Sequence, residues 1–252
     1  MGQIIPHLDI PVTTYALALF GAFCAGFAKT GLPGLALVNI IIMAHFFGKE
    51  SVGIILPLLI FSDIVVFPLY RRHATWSQAW PLIIPAIVGV ILGYFVLRSL
   101  DDVMTKRVIG WIIIAMLILQ FLRMRSEDFL THFPHSRRFL AVSGLAIGIS
   151  TTVANAAGPV FSIWGLLKGL PKNEFLGIGA RVFLFLNIFK LPFNWNIGIL
   201  NPRTLWLDAA LVPAVILGIA TGKPLVQRIP QEVFVRVLFA LSGVGALWLI
   251  WA

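Results

Sequence analysis

Apolar runs close to or beyond the length of a bilayer crossing recur along the chain, at Ala79 to Leu97, Val108 to Leu122, Leu205 to Thr221 and Val233 to Trp251. A helix rises about 1.5 Å per residue, so roughly 17–25 residues cover about 30 Å of hydrocarbon. Of the 252 residues, 59% are apolar and 12% charged. An ordinary soluble domain carries about 25% charged residues to clothe its surface. Disordered, coiled-coil, disulfide-rich secreted and soluble-enzyme classes are thereby excluded. The expected fold is an all-α polytopic membrane protein, a single transmembrane domain over residues 1–252.

The net charge of +9 reads as topology rather than nucleic-acid binding, because the cations cluster in short connections. Examples are Arg71-Arg72, Arg123, Arg125, Arg137-Arg138, Lys223 and Arg228. Cys24 is the single cysteine, so neither an internal disulfide nor a thiolate metal cluster can form. No Lys or Arg lies between Met1 and Pro11, and a cleavable signal needs a basic start, so the first apolar stretch is expected to stay in the protein.

Two apolar stretches are interrupted. Tyr15 to Phe47 breaks at Lys29-Thr30-Gly31-Leu32-Pro33-Gly34, and Phe139 to Leu167 breaks between Thr151 and Pro159. Glycine costs about 1 kcal/mol within a helix and proline about 3, and the residue before proline is driven from the α region. Each stretch therefore reads as two short helices around an unwound joint, the first pair being Tyr15–Ala28 and Pro33–Phe47. Members of about 21 and 22 Å are each too short for a crossing and together too long for one. A hairpin dipping into the bilayer satisfies both lengths.

These stretches open two related copies. Gly26 precedes Gly148 by 122 residues, Gly53 and Asp63 precede Gly177 and Asn187 by 124, and Gly89, Gly93, Arg107 and Val108 precede their counterparts by 129. The reading is two four-segment repeats, residues 15–122 and 139–251, each a broken or re-entrant pair followed by three plain spans, joined by linker 123–138. Of the 19 Lys and Arg residues, Lys29, Arg181 and Lys190 lie within apolar stretches. With hairpins the other 16 divide eleven to five across the membrane, and with full crossings nine to seven. The hairpin model better fits retention of cations on the cytoplasmic side. It makes the crossings per copy odd, so the repeats are expected to be inverted, as in many secondary transporters.

At each joint a helix restarts, at Pro33 and at Pro159, where proline is tolerated in the first turn. The free N–H groups that follow, from Gly34 to Leu37 and from Val160 onward, combine with the positive end of the helix dipole to suit an anion. Two such ends would form a cradle for a small oxyanion, with ordinary kinks as the alternative. Thr30, Thr151, Thr152 and Asn155 add polar groups, Gly31, Gly34 and Gly158 allow close backbone approach, and Asn39 lies on the restarted helix. Lys29 either attracts the anion or snorkels to the headgroups. Arg181 either clamps two oxygens of a sulfonate or carboxylate or forms a structural ion pair with Asp63. Asp63, which matches Asn187 in the other copy, has three open roles: partner of Arg181, proton carrier or cation ligand. Gly89-x-x-x-Gly93 and Gly218-x-x-x-Gly222 read as close-packing motifs, and Trp76, Trp80, Trp111, Trp195, Trp206, Trp248 and Trp251 as interfacial anchors. Cys24 reads as a packing residue.

The glycine-rich joint from Gly26 to Gly34, the loop Gly48-Lys49-Glu50-Ser51, then Pro57, Asp63, Tyr70-Arg71-Arg72 and Trp76, together with the duplication, resemble the sulfite exporter TauE/SafE family. That resemblance implies a permease of about eight hydrophobic segments moving sulfite, sulfonates or organic anions across a bacterial inner membrane. The expected function is a secondary transporter of a small sulfur-containing oxyanion or organic anion, working by alternating access at mid-membrane and driven by a proton or sodium ion. No cofactor, metal or nucleic acid is expected, and a homodimer is allowed. No G-x-x-x-x-G-K-[ST] loop for ATP is present. A passive anion channel is the alternative. A membrane-embedded enzyme is disfavoured, since Gly148-Ile149-Ser150-Thr151 lacks the last glycine of a serine-protease motif and no H-E-x-x-H metal motif occurs.

Overall fold

The computed structural model describes residues 4–5, 10–30, 33–125, 137–226 and 231–251. Gly31, Arg228 and most of the expected linker lie outside these. A short antiparallel ribbon, β1 (Ile4–Ile5) and β2 (Ile10–Pro11), precedes α1 (Val12–Thr30), a 3-10 turn at Pro33–Leu35, and α2 (Ala36–Phe47). Then follow α3 (Glu50–Tyr70), α4 (Trp76–Ser99) and α5 (Asp102–Arg125). The second half contains α6 (Arg137–Ala154), α7 (Gly158–Leu167), α8 (Lys172–Asn196), α9 (Pro202–Val226) and α10 (Gln231–Trp251). Six of these, α1, α3, α4, α5, α8 and α9, are long and apolar enough to cross a membrane. The all-α polytopic expectation holds.

Both interrupted stretches are helix pairs that turn back. Gly21 of α1 lies against Asn39 of α2, and the two ends of this pair meet, since Ile10 and Phe47 line one small pocket with Glu50. In the second half, Gly144 and Gly148 place α6 alongside the first half of α4. α7 returns to the start of α8, where Gly165 meets Phe175. Gln78 Nε2 donates to Glu174 Oε1 at 2.7 Å, so α4 and α8 begin at that same end.

The helices run further into the joints than expected. α1 covers 19 residues and includes Lys29 and Thr30, and α6 includes Thr151 and Thr152. Neither lysine nor threonine opposes helical dihedrals strongly, so each helix continues until glycine, proline or a left-handed residue stops it. Asn155 is that residue in the second half, with φ of 52°. Asparagine tolerates this region better than most side chains.

Packing between the halves relies on absent side chains. A Cβ on Gly26 would overlap the Val215 carbonyl, and one on Gly218 the Phe23 carbonyl, so α1 and α9 touch backbone to backbone. Gly148 and Gly89 do the same for α6 and α4, against the carbonyls of Ala86 and Leu145. Lipid tails are as apolar as leucine, so helices in a bilayer gain little from apolar burial and much from such close van der Waals contact. α3 and α8 cross antiparallel. Gly53 near the start of α3 meets Ile199 just beyond α8, and Gly177 near the start of α8 meets Ala74 just beyond α3. The seven expected tryptophan anchors are exposed, from 39% at Trp80 to 84% at Trp251, as lipid-facing residues would be.

Candidate functional site

A cavity of about 190 Å³ sits where both joints meet α3 and α8. Its wall includes Ala36, at the start of α2, and Gly158, at the start of α7. The first residues of both restarted helices therefore border one space. Gly158 has open room beside it, since an added Cβ would meet nothing within 4 Å. The remaining wall is apolar or aromatic, including Phe161 and Phe183, and polar groups enter at a few points.

The first polar group is an ion pair. Lys29 Nζ, in the last turn of α1, donates to Asp63 Oδ1 of α3. The other carboxylate oxygen accepts from Asn187 Nδ2 of α8 at 2.7 Å. The two positions matched by the 124-residue offset thus touch each other. Lys29 also lies 5.8 Å from the ring centre of Phe183, within reach of a cation–π interaction. The carboxylate is 5% exposed and the lysine side chain 20%, so the pair sits at the cavity wall with its lysine partly open.

The second group is Lys190, one helical turn beyond Asn187 and 1% exposed. Its ammonium donates to Thr151 O at 2.9 Å, Thr151 Oγ1 at 3.0 Å and Asn155 Oδ1 at 2.8 Å. The Thr151 carbonyl, in the last turn of α6, also accepts from Asn155 N at 3.1 Å, so Lys190 shares an acceptor already used within that turn. All three acceptors are neutral. Through Thr151 and Asn155 this lysine joins the Lys29–Asp63 pair at one cavity, so two basic side chains and one carboxylate gather there. Buried basic groups favour anions, most strongly where lipid and protein keep the dielectric low.

Of the residues singled out from sequence, Lys29, Asp63, Thr151, Asn155, Gly158 and Asn187 line this cavity together. Others lie elsewhere. Thr30 donates its hydroxyl to Ile219 O of α9 at 2.8 Å. Thr152 donates to Gly148 O at 2.8 Å within α6. Gly34 packs on Leu238 of α10, and Asn39 is buried against Gly21.

Arg181 departs furthest from expectation. It does not pair with Asp63. Its guanidinium donates to Gly177 O at 2.9 Å and Arg71 O at 2.6 Å, and lies 5.6 Å from the Phe67 ring centre and 5.8 Å from that of Trp76. Side chains on a helix lean toward its N-terminus, so an arginine on α8 reaches back to the end of α3 rather than inward. Asp63 is meanwhile claimed by the nearer Lys29. The missed cation is Lys190, whose sequence signal is a charge in an apolar stretch three residues from Asn187.

Among the described residues, no group of three or more His, Cys, Asp or Glu is placed to hold a metal ion. Comparison with curated proteins and with solved structures returned no match. The family model described as sulfite exporter TauE/SafE matches residues 18–249. With nearly its whole length covered by that match, the chain belongs to the TauE/SafE sulfite exporter family.

Proposed function

We propose that this protein is a secondary transporter that carries sulfite, a sulfonate or a similar small anion across a bacterial inner membrane by alternating access around the Lys29–Asp63–Lys190 cluster. The observation that carries the reading is one small cavity bordered by the starts of two helices and by Lys29, with Lys190 bonded to its lining residues Thr151 and Asn155. Free N–H groups and buried ammonium groups together replace the hydration an oxyanion loses on leaving water. A space of about 190 Å³ suits a small anion rather than a large ligand.

The two halves are inverted repeats in this reading. The helix contacts support it, because they pair up when the halves are exchanged: α1 on α9 matches α6 on α4, and α3 on α9 matches α8 on α4. The antiparallel crossing of α3 and α8 supports the inversion itself. Asp63 is the residue best placed to couple transport to a proton, since it alone among the cavity-lining side chains carries negative charge.

The test is flux of radiolabelled sulfite into proteoliposomes. The parent accumulates label, and Lys29→Ala loses most of the flux, because the anion loses its partly open cation. Unchanged flux in Lys29→Ala would overturn the assigned site. Flux indifferent to imposed proton and sodium gradients would favour a passive channel.

A further inference from the structure

We propose that Lys190 and Asn194 form a second anion subsite, which receives the substrate when the opposite end of the protein opens. This rests on the inverted-repeat transporter reading above.

Among the described residues the cavity extends toward one end of the molecule. From Asp63 and Asn187 it extends to Tyr70, at the end of α3, and to Phe175 and Leu176, at the start of α8. Shifted by the 124-residue offset, these three correspond to Asn194, Ser51 and Val52. Each of those counterparts is 1% exposed. The same set of positions is thus open in one half and packed shut in the other, as expected of an inverted repeat caught with access on one side.

The offset also pairs Val66, which lines the open cavity, with Lys190, which lies under the closed end. Lys190 and Asn194 are four residues apart and so share one face of α8. Asn194 Nδ2 is buried with no hydrogen-bond partner among the described residues. A buried donor without an acceptor is costly, and on the same helix face as a lysine with no carboxylate partner among the described residues it is a second group suited to an oxyanion. Asn155 links this subsite to the closed end. Its Oδ1 accepts from Lys190, and its Nδ2 donates to Val52 O at 3.1 Å. Withdrawal of Val52 breaks that bond and frees Asn155 to release Lys190. The anion then passes between Lys29 on one side and Lys190 with Asn194 on the other.

The test uses the full-length protein in oriented vesicles, with radiolabelled sulfite applied from either face. Asn194→Ala is the cleaner variant, because the amide has no hydrogen bond to lose in the present state. Applied from the face carrying Lys49 and Asp102, sulfite is expected to need about tenfold more for half-saturation, the size of one charge-assisted or buried hydrogen bond. From the Arg71 face the value stays within about twofold. Lys190→Met, which also removes a basic group from the shared cluster, weakens sulfite from both faces but more from the Lys49 face, and Lys190→Arg restores part of that difference. In a Cys24→Ala background, Val52→Cys reacts slowly with a membrane-impermeant maleimide and several-fold faster when Asn155→Ala is added. Equal effects on both faces, or no effect of Asn194→Ala, would overturn the subsite. A parent protein that moves no anion would instead remove the transport reading on which it stands.

Discussion

The two joints share a backbone plan and differ in charge. In the first, the cation belongs to the hairpin itself: Lys29 closes α1 and meets Asp63 on α3. In the second, the cation comes from the facing helix: Lys190 on α8 meets Thr151 and Asn155 at the end of α6. One joint therefore holds a neutralised ion pair and the other an ammonium among neutral oxygens. Repetition of a backbone can supply two equivalent helix starts, but equivalence of electrostatics would leave no difference between the two sides. The mismatch sets a lysine paired with a carboxylate at one joint against a lysine held by neutral oxygens at the other.

The largest expected effect comes from breaking the ion pair on one side only. Lys29→Ala strands Asp63 without its counter-ion, and removal of one partner of a buried pair costs about 3–5 kcal/mol. Thermal unfolding in detergent should show that loss. The double variant Lys29→Met with Asp63→Leu should recover most of the stability while remaining inactive in flux, because apolar replacements remove both charges together. If the single and double variants melt alike, the pair is not what holds the first joint.

A middle-sized effect tests the sameness of the backbones. Gly26→Ala and Gly148→Ala each place a methyl group into a facing carbonyl, Val215 in one case and Ala86 in the other. Each should cost about 1–3 kcal/mol, the usual penalty of overpacking. The two values should be similar. A large loss at one site with none at the other would break the equivalence of the halves.

The smallest effect concerns residues outside the cavity. Thr30→Val and Thr152→Val each remove one hydroxyl bond to a backbone carbonyl, Ile219 in one case and Gly148 in the other. Each should cost about 0.5–1.5 kcal/mol and leave half-saturation by sulfite unchanged. A marked change in affinity at Thr30 would extend the site toward α9.

Much of the scaffold was legible because it follows from local energetics. Glycine and proline mark the joints at Pro33 and Pro159, and uninterrupted apolar runs mark the spans. The offset of 124 residues drew attention to Asp63 and Asn187 together, and the two are hydrogen-bonded. Side-chain reach was less legible. Arg181 and Lys190 both lie in α8 as isolated cations, yet one stretches back to Arg71 and the other enters the cluster. Residue type and spacing do not record which face of α8 turns toward α6. Thr30 and Thr152 stand one residue from Lys29 and Thr151, but one helical step of about 100° turns them away from the cavity.

The sequence alone determined that this chain lives in a bilayer and that two of its apolar stretches must be interrupted, since hydrocarbon admits only satisfied backbone and proline removes a donor. Only tertiary structure decided which charges meet. An ion pair depends on helix rotation and on close approach between glycine-lined backbones, and those are fixed by contacts between residues more than 100 positions apart, such as Gly26 with Val215 and Asp63 with Asn187.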